Sequence, residues 1–136
     1  MTPVPKPAKT LRQLKARQDR HEAAVKSSVR AEVFAREREM CAVVSRLMSR
    51  DMFDVVKAFG VCSGPLQHAH LKGKRKSATR GQAPEERHQT ATSLALCELH
   101  HEAEEHKGLR FIGLTKVGMD GPLTFHVEPP KARVVH

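Results

Sequence analysis

The sequence contains no tryptophan, no tyrosine and only five phenylalanines among its 136 residues. A large aromatic core is therefore excluded, and stacking of nucleic-acid bases is limited to phenylalanine. A domain of about 100 residues buries only a moderate fraction of its surface. We therefore expect something to supplement the apolar core, and a metal site is one candidate.

Cysteine is also scarce, with only Cys41, Cys62 and Cys97 present. An odd, small number argues against a framework of disulfides. Two interpretations stay open, in which the thiols are small buried apolar groups or ligands of a metal ion.

No apolar run approaches the roughly 20 residues that a membrane-spanning helix needs, and residues 1–15 have no apolar core of the signal-peptide kind. We expect a cytoplasmic protein without a membrane partner. The sequence also lacks a Gly-x-Ser-x-Gly motif and a glycine-rich phosphate loop. These absences argue against a serine hydrolase of that type and against a small-molecule cofactor.

Acidic residues are too few to balance the basic ones, since 15 aspartates and glutamates oppose 24 lysines and arginines, giving a net charge of +9. Such an excess favours a polyanionic partner, either nucleic acid or an anionic surface. Residues 1–29 predict a basic arm, disordered or marginally helical from about Leu11 to Val25, that either contacts phosphates or only adds solubility. Between residues 72 and 80 lie five further cations that we expect to contact DNA phosphates: Lys72, Lys74, Arg75, Lys76 and Arg80.

Hydrophobic periodicity predicts an α+β domain over residues 30–127, followed by a loose tail over 128–136. Residues 30–60 show helical spacing, with one helix or two around Cys41 left open. Residues 61–108 predict a turn, a strand from Leu66, a basic loop, a buried strand over 93–97 and a helix that ends before Gly108. Residues 109–127 predict a β-hairpin. The strand from Leu66 alternates with period two, so His68 and His70 share one face.

Two histidine-bearing segments resemble the signature halves of HNH (ββα-metal) nucleases. The first runs Cys-Ser-Gly-Pro-Leu-Gln-His-Ala-His-Leu over 62–71, and the second runs Leu-Ala-Leu-Cys-Glu-Leu-His-His over 94–101. They are similar to the family patterns "C-x-G-x-L…H" and "N-L-x-x-L-C-x-x-H-H". The Arg-Ala-Glu-Val-Phe-Ala-Arg-Glu segment over 30–37 resembles an element that often precedes these domains, and 107–125 resembles the trailing strands of phage and prophage members.

The resemblance implies a DNA endonuclease that uses one divalent ion, Mg²⁺, Mn²⁺, Ni²⁺ or Zn²⁺, to hydrolyse phosphodiester bonds. His70 matches the general base of the family, and Thr92 falls where the family has the asparagine that orients this base. The ligands of the catalytic ion would come from four residues: His101, His106, His68 and Glu105.

Three positions depart from the family pattern. Thr92 replaces the asparagine, Ala69 occupies the usual ligand position before the base, and His106 follows His101 by five residues instead of four. Because five residues do not return to the same helical face, Glu105 competes with His106 as ligand. The alternative is therefore a weakened or inactive module that binds nucleic acid on the same scaffold. A second alternative is a basic assembly or interaction protein of a phage.

A second metal is suggested by Cys97-Glu-Leu-His100, which has the two-residue spacing of half a zinc site. Many HNH domains hold a structural zinc, and here Cys41 and Cys62 would have to supply its other half. The competing interpretation remains three buried thiols without a metal.

Overall fold

The computed structural model describes residues 10–71, 83, 85 and 88–129. The five cations expected to contact phosphates (Lys72, Lys74, Arg75, Lys76 and Arg80) lie outside the described residues, as do the start of the basic arm and nearly all of the tail.

The described chain is a mixed α+β structure, so the coarse fold class is confirmed. Its helices are α1 (Leu11–Arg36), α2 (Ala42–Ser45), α3 (Ser49–Phe59) and α4 (Glu98–His106). Its strands are β1 (Leu66–His70), β2 (Ser93–Cys97), β3 (Leu109–Gly113) and β4 (Leu123–Val127). Short 3₁₀ turns cover Thr90–Thr92 and Gly118–Asp120.

Helix α1 runs without a break through the boundary predicted between residues 29 and 30. A capping box starts it, because the Thr10 hydroxyl accepts from the Gln13 amide at 3.2 Å while the Gln13 side chain accepts from the Thr10 amide at 2.9 Å. Val33 is the buried residue of this helix. The segment interpreted as an arm is thus helical from Leu11 onward, although its apolar face is as thin as the sequence suggests.

The chain reverses direction after α1 at Arg38 and Glu39, which both have positive φ angles, 56° and 58°. Residues 30–60, for which the sequence leaves open one helix or two around Cys41, are divided among the end of α1 and the two separate helices α2 and α3. The start of α2 at Ala42 places Cys41 at a helix N-terminus inside the core.

Strands β1 and β2 pair antiparallel, with His68 opposite Ala95 and His70 opposite Ser93. Every residue of β2 is buried, which is the reason that its sequence is apolar after Ser93. Helices α1 and α4 both contact this two-stranded sheet. Strands β3 and β4 form a second antiparallel pair, with Phe111 opposite Phe125.

One apolar core joins these elements, and its fully buried members include Val43, Val55, Leu94, Leu96 and Leu109. Within the described residues, no helix is long and apolar enough to cross a membrane.

Candidate functional site

Three cysteines and one histidine come together at the N-terminal end of α4. Cys41 precedes α2, Cys62 lies in the loop after α3, Cys97 ends β2, and His100 is in the first turn of α4. One ligand atom from each residue lies within 4.8 Å of the others. Two Sγ atoms approach His100 Nδ1 at 3.5 Å (Cys41) and 3.6 Å (Cys62), and Cys97 Sγ lies at 3.1 Å.

These separations suit a tetrahedral metal ion. Zinc bonds of about 2.3 Å to sulfur and about 2.0 Å to nitrogen place such ligand atoms about 3.5 Å apart. The Cys41 and Cys62 distances match that value, and Cys97 needs to move by only a few tenths of an ångström. Three soft sulfurs and one imidazole are a donor set that zinc prefers.

The hydrogen bond of His100 Nε2 determines which ring nitrogen is free to bind a metal. His100 Nε2 lies 2.9 Å from the Gly60 carbonyl oxygen, so Nε2–H donates and Nδ1 presents its lone pair to the sulfurs. Burial lowers the pKa of His100, so the ring is neutral at neutral pH, as a metal ligand must be.

The pKa values of Cys41 and Cys62 shift upward, whereas that of His100 shifts downward. Burial raises the pKa of Cys41 and of Cys62, with further contributions from the neighbouring thiols, because thiolates in one apolar site repel each other. A bound cation reverses this effect by stabilising the thiolates. The four residues therefore form a site compatible with a metal ion such as zinc, as the Cys-x-x-His spacing suggested.

The cluster is open to solvent on one side. Cys41, Cys97 and His100 are buried while Cys62 is exposed. A shallow cleft of about 300 Å³, lined also by Met40 and Val44, reaches three of the sulfurs. Solvent therefore reaches the cluster from the Cys62 side.

A second group of functional side chains lies along β1. The rings of His68 and His70 are 4.7 Å apart between centroids, and the ring of His88 lies 5.3 Å from that of His70. His68 and His70 line a cavity of about 470 Å³ together with α1 residues that include Lys26 and Arg30. The predicted shared face of His68 and His70 thus meets α1.

Burial and nearby positive charge keep these imidazoles neutral. The pKa of His68 falls to about 4, through burial first and then through His70 and Arg30. Burial and the neighbouring His88 lower the pKa of His70 as well. A neutral His70 at neutral pH has the lone pair that a general base requires.

His88 was not singled out by sequence reasoning. It is buried, its Nε2 lies 3.1 Å from a Glu22 carboxylate oxygen of α1, and its Nδ1 has no hydrogen-bond partner in the part of the chain that the structure describes. Since Glu22 and His88 are 66 positions apart, no local spacing could have indicated their contact.

Thr92 lies beside the end of β1. Its carbonyl oxygen accepts from the Leu71 amide at 3.3 Å, next to His70. Its hydroxyl donates to the Gln89 carbonyl oxygen at 3.3 Å and is thereby engaged in the turn that precedes β2.

The predicted helical ligands share one carboxylate. His101 Nε2 lies 3.1 Å and His106 Nε2 lies 3.5 Å from oxygens of Glu105. His101 Nδ1 donates to Gln67 Oε1 at 2.6 Å. The Nε2 atom of His101 therefore faces a carboxylate oxygen and needs either a proton or a cation between them.

These helical residues and the β1 histidines are not gathered as tightly as the cysteine cluster. Over residues 10–71, 83, 85 and 88–129, only Cys41, Cys62, Cys97 and His100 bring ligand atoms of three or more residues within 4.8 Å of one another. A catalytic ion held by His68, His101, His106 or Glu105 stays a prediction.

The chain was compared with protein-family models, with curated proteins and with solved structures, and none of the three comparisons found a match.

Proposed function

We propose that the chain is a metal-dependent DNA endonuclease built on a strand–strand–helix unit. The supporting observation is the antiparallel pair of β1 and β2 with α4 packed against it, in which His101 of the helix contacts Gln67 of the strand that carries His70. His101 also follows directly after the metal-compatible His100. The positive net charge suits a polyanionic substrate.

In this proposal the neutral imidazole of His70 accepts a proton from the attacking water. His101 and Glu105, with His68 or His106, would hold the divalent ion, which stabilises charge on the phosphate and on the leaving oxygen. The carbonyl and hydroxyl of Thr92 fix the turn beside the end of the strand that carries His70.

The cysteine cluster has a structural role in this proposal. A zinc ion at Cys41, Cys62, Cys97 and His100 would connect the starts of α2 and α4 to the loop after α3. It would hold the first turn of α4 in place and with it the orientation of His101.

The alternative is a catalytically inactive module that binds nucleic acid on this scaffold. It is favoured by the engaged hydroxyl of Thr92 and by the looser spacing of the helical ligands. In that case the cysteine cluster would still hold its metal, and DNA would be bound but not cut.

Nicking of supercoiled plasmid separates the two functions. Purified protein is incubated with plasmid and Mg²⁺, Mn²⁺, Ni²⁺ or Zn²⁺ in turn, alongside His70→Ala and a matched His126→Ala control at an exposed position on β4. We expect nicking by the wild type and by His126→Ala. We expect a loss of about 100-fold or more in His70→Ala.

Binding of DNA is measured in the same samples with EDTA present. If the wild type binds DNA but no ion produces nicking, or if His70→Ala nicks as fast as wild type, the endonuclease proposal is wrong.

A further inference from the structure

The cavity between α1 and β1 is lined by groups that bind anions. It is lined by Lys26, Ser27 and Arg30 of α1 and by Gln67, His68 and His70 of β1, with Leu66 as the apolar member. No carboxylate is among these lining residues. Lys26 and Arg30 are four residues apart and therefore project from the same face of α1.

Both cations are available to a ligand. Within the described part of the chain, neither Lys26 nor Arg30 forms an ion pair, and Arg30 lies over the ring of Phe34 at 5.0 Å. This contrasts with Arg36 and Arg46 nearby, which are engaged by Glu37. A planar guanidinium held against an aromatic ring keeps its donors free for the two oxygens of a phosphate.

A second and independent observation is a buried polar atom without a partner. His68 Nε2 exposes less than 1 Å² to solvent and has no hydrogen-bond partner among the described residues. A buried donor or acceptor left unpaired is destabilising, and the missing partner in such cases is commonly a bound water or ion. The atom belongs to a residue that lines the same cavity as Lys26 and Arg30.

We propose that this cavity is a phosphate-binding site in which Lys26 and Arg30 of α1 hold a phosphodiester group over the β1 histidines. The inference rests on the proposed function, since it places a nucleic-acid backbone beside His70. It also assigns α1 a specific part in binding the substrate, whereas the sequence suggested only a basic arm. The same oxygens could come from free inorganic phosphate, and the experiment below distinguishes the two sources.

The test compares two double variants that lose the same charge. Lys26→Gln with Arg30→Gln removes the proposed contacts, and Arg50→Gln with Lys57→Gln on α3 is the matched control at exposed positions. Binding of a fluorescein-labelled 20-base-pair duplex is followed by anisotropy in EDTA between about 0.05 and 0.3 M salt. We expect the cavity variant to bind about tenfold or more weakly and its salt slope to fall by about 2. The control should stay within about twofold.

Two competitors identify the ligand class. Inorganic phosphate at high concentration should displace the duplex from the wild type, whereas chloride at equal ionic strength should not. The affinity for phosphate should stay below the affinity for the duplex. Polyglutamate of equal charge should compete poorly. Two results together would show that the site is a general anion patch and that the proposal is wrong. Polyglutamate would compete as well as DNA, and the Lys26→Gln, Arg30→Gln variant would lose affinity for polyglutamate and for DNA to the same extent. A phosphate affinity equal to that of the duplex would overturn the choice of nucleic acid.

A second measurement does not depend on any variant. Inorganic phosphate is titrated into protein labelled with ¹⁵N at histidine, and the ring signals of His68 and His70 should shift together while that of His126 does not. The proposal is overturned if those rings do not respond or if both double variants weaken DNA binding equally. Because binding is measured in EDTA, a failure of cleavage leaves this result intact, and the two proposals can fail separately.

Discussion

Glu37 shows how one side chain can hold several elements together. It is fully buried, accepts from Arg36 and Arg46, and accepts from the Ala95 amide of β2 at 3.1 Å. Arg36 also donates to the Ser93 carbonyl oxygen at 2.7 Å, and Arg46 donates to the Gly121 carbonyl oxygen at 2.6 Å. The end of α1, the start of β2 and the loop before β4 thus share one network of charge-assisted hydrogen bonds.

Replacing Glu37 by glutamine should lower the free energy of unfolding by about 3 kcal/mol, because the partly buried guanidinium of Arg46 then loses its counter-charge and that of Arg36 keeps only Asp120. The measurement is urea unfolding followed by circular dichroism. The exposed neighbour Glu39 provides the control, since Glu39→Gln should change stability by less than about 0.5 kcal/mol. Equal effects at both positions would contradict the role given to the network.

At the scale of elements, α1 is unevenly supported along its length. Leu11 is 86% exposed and Leu14 is 41% exposed, whereas Val33 is fully buried and the following Arg36 is tied to β2. Helices receive most of their stability from packing and little from propensity. The first half of α1 therefore depends on its capping box and on contacts such as that between Glu22 and His88.

Amide hydrogen exchange should divide α1 accordingly. We expect residues 11–20 to exchange at least about tenfold faster than residues 30–36, with β2 the slowest of the strands because it is wholly buried. Uniform protection along α1 would contradict this and would point to packing of its first half that the single buried residue does not explain.

The junction between α4 and β3 depends on a glycine. Gly108 has a φ of 79°, and a Cβ there would lie 2.5 Å from the Glu128 carbonyl oxygen. Its own carbonyl oxygen accepts from the Glu128 amide at 2.8 Å, which closes the β3–β4 pair. Because the obstructing atom belongs to the backbone, no side-chain rotation can relieve the clash.

Gly108→Ala should therefore destabilise the protein by about 2 kcal/mol or more, from the left-handed backbone and the clash together. Lys107→Ala at the adjacent exposed position should cost less than about 0.5 kcal/mol. Thermal unfolding of the two variants checks the difference, and a Gly108→Ala protein as stable as Lys107→Ala would refute it.

At the scale of the whole molecule, the cysteine–histidine cluster connects segments that are distant in sequence. Cys41 and His100 are separated by 59 positions, yet Sγ and Nδ1 lie 3.5 Å apart. A metal bound by the folded chain but not by the unfolded one stabilises the fold in proportion to its occupancy.

The protein purified from a zinc-containing medium should carry about one zinc per chain, measured by elemental analysis. Removal by a chelator should lower the melting temperature by about 10 °C, which corresponds to about 2.7 kcal/mol for zinc present at about 100 times its dissociation constant. Addition of zinc should restore it. His100→Ala should respond to neither treatment, and a wild type that melts identically with and without chelator would exclude a stabilising metal.

The local order of elements could be obtained from the sequence by itself. The alternation after Leu66, the apolar run over 93–97 and the stop at Gly108 predicted β1, β2 and the end of α4, because each depends on neighbouring residues. The spacing of Cys97 and His100 also predicted half a metal site, since two intervening residues place both at one helix N-terminus.

The tertiary structure decided what comes from distant parts of the chain. It brought Cys41 and Cys62 to that half site and placed His88 beside His70. It also placed Lys26 and Arg30 of α1 in the cavity that the β1 histidines line. These contacts between distant residues depend on how the helices pack around the core, and packing is governed by shape and buried area summed over many residues. No short motif records them, and for that reason the basic segment at the start of the chain predicted only an arm.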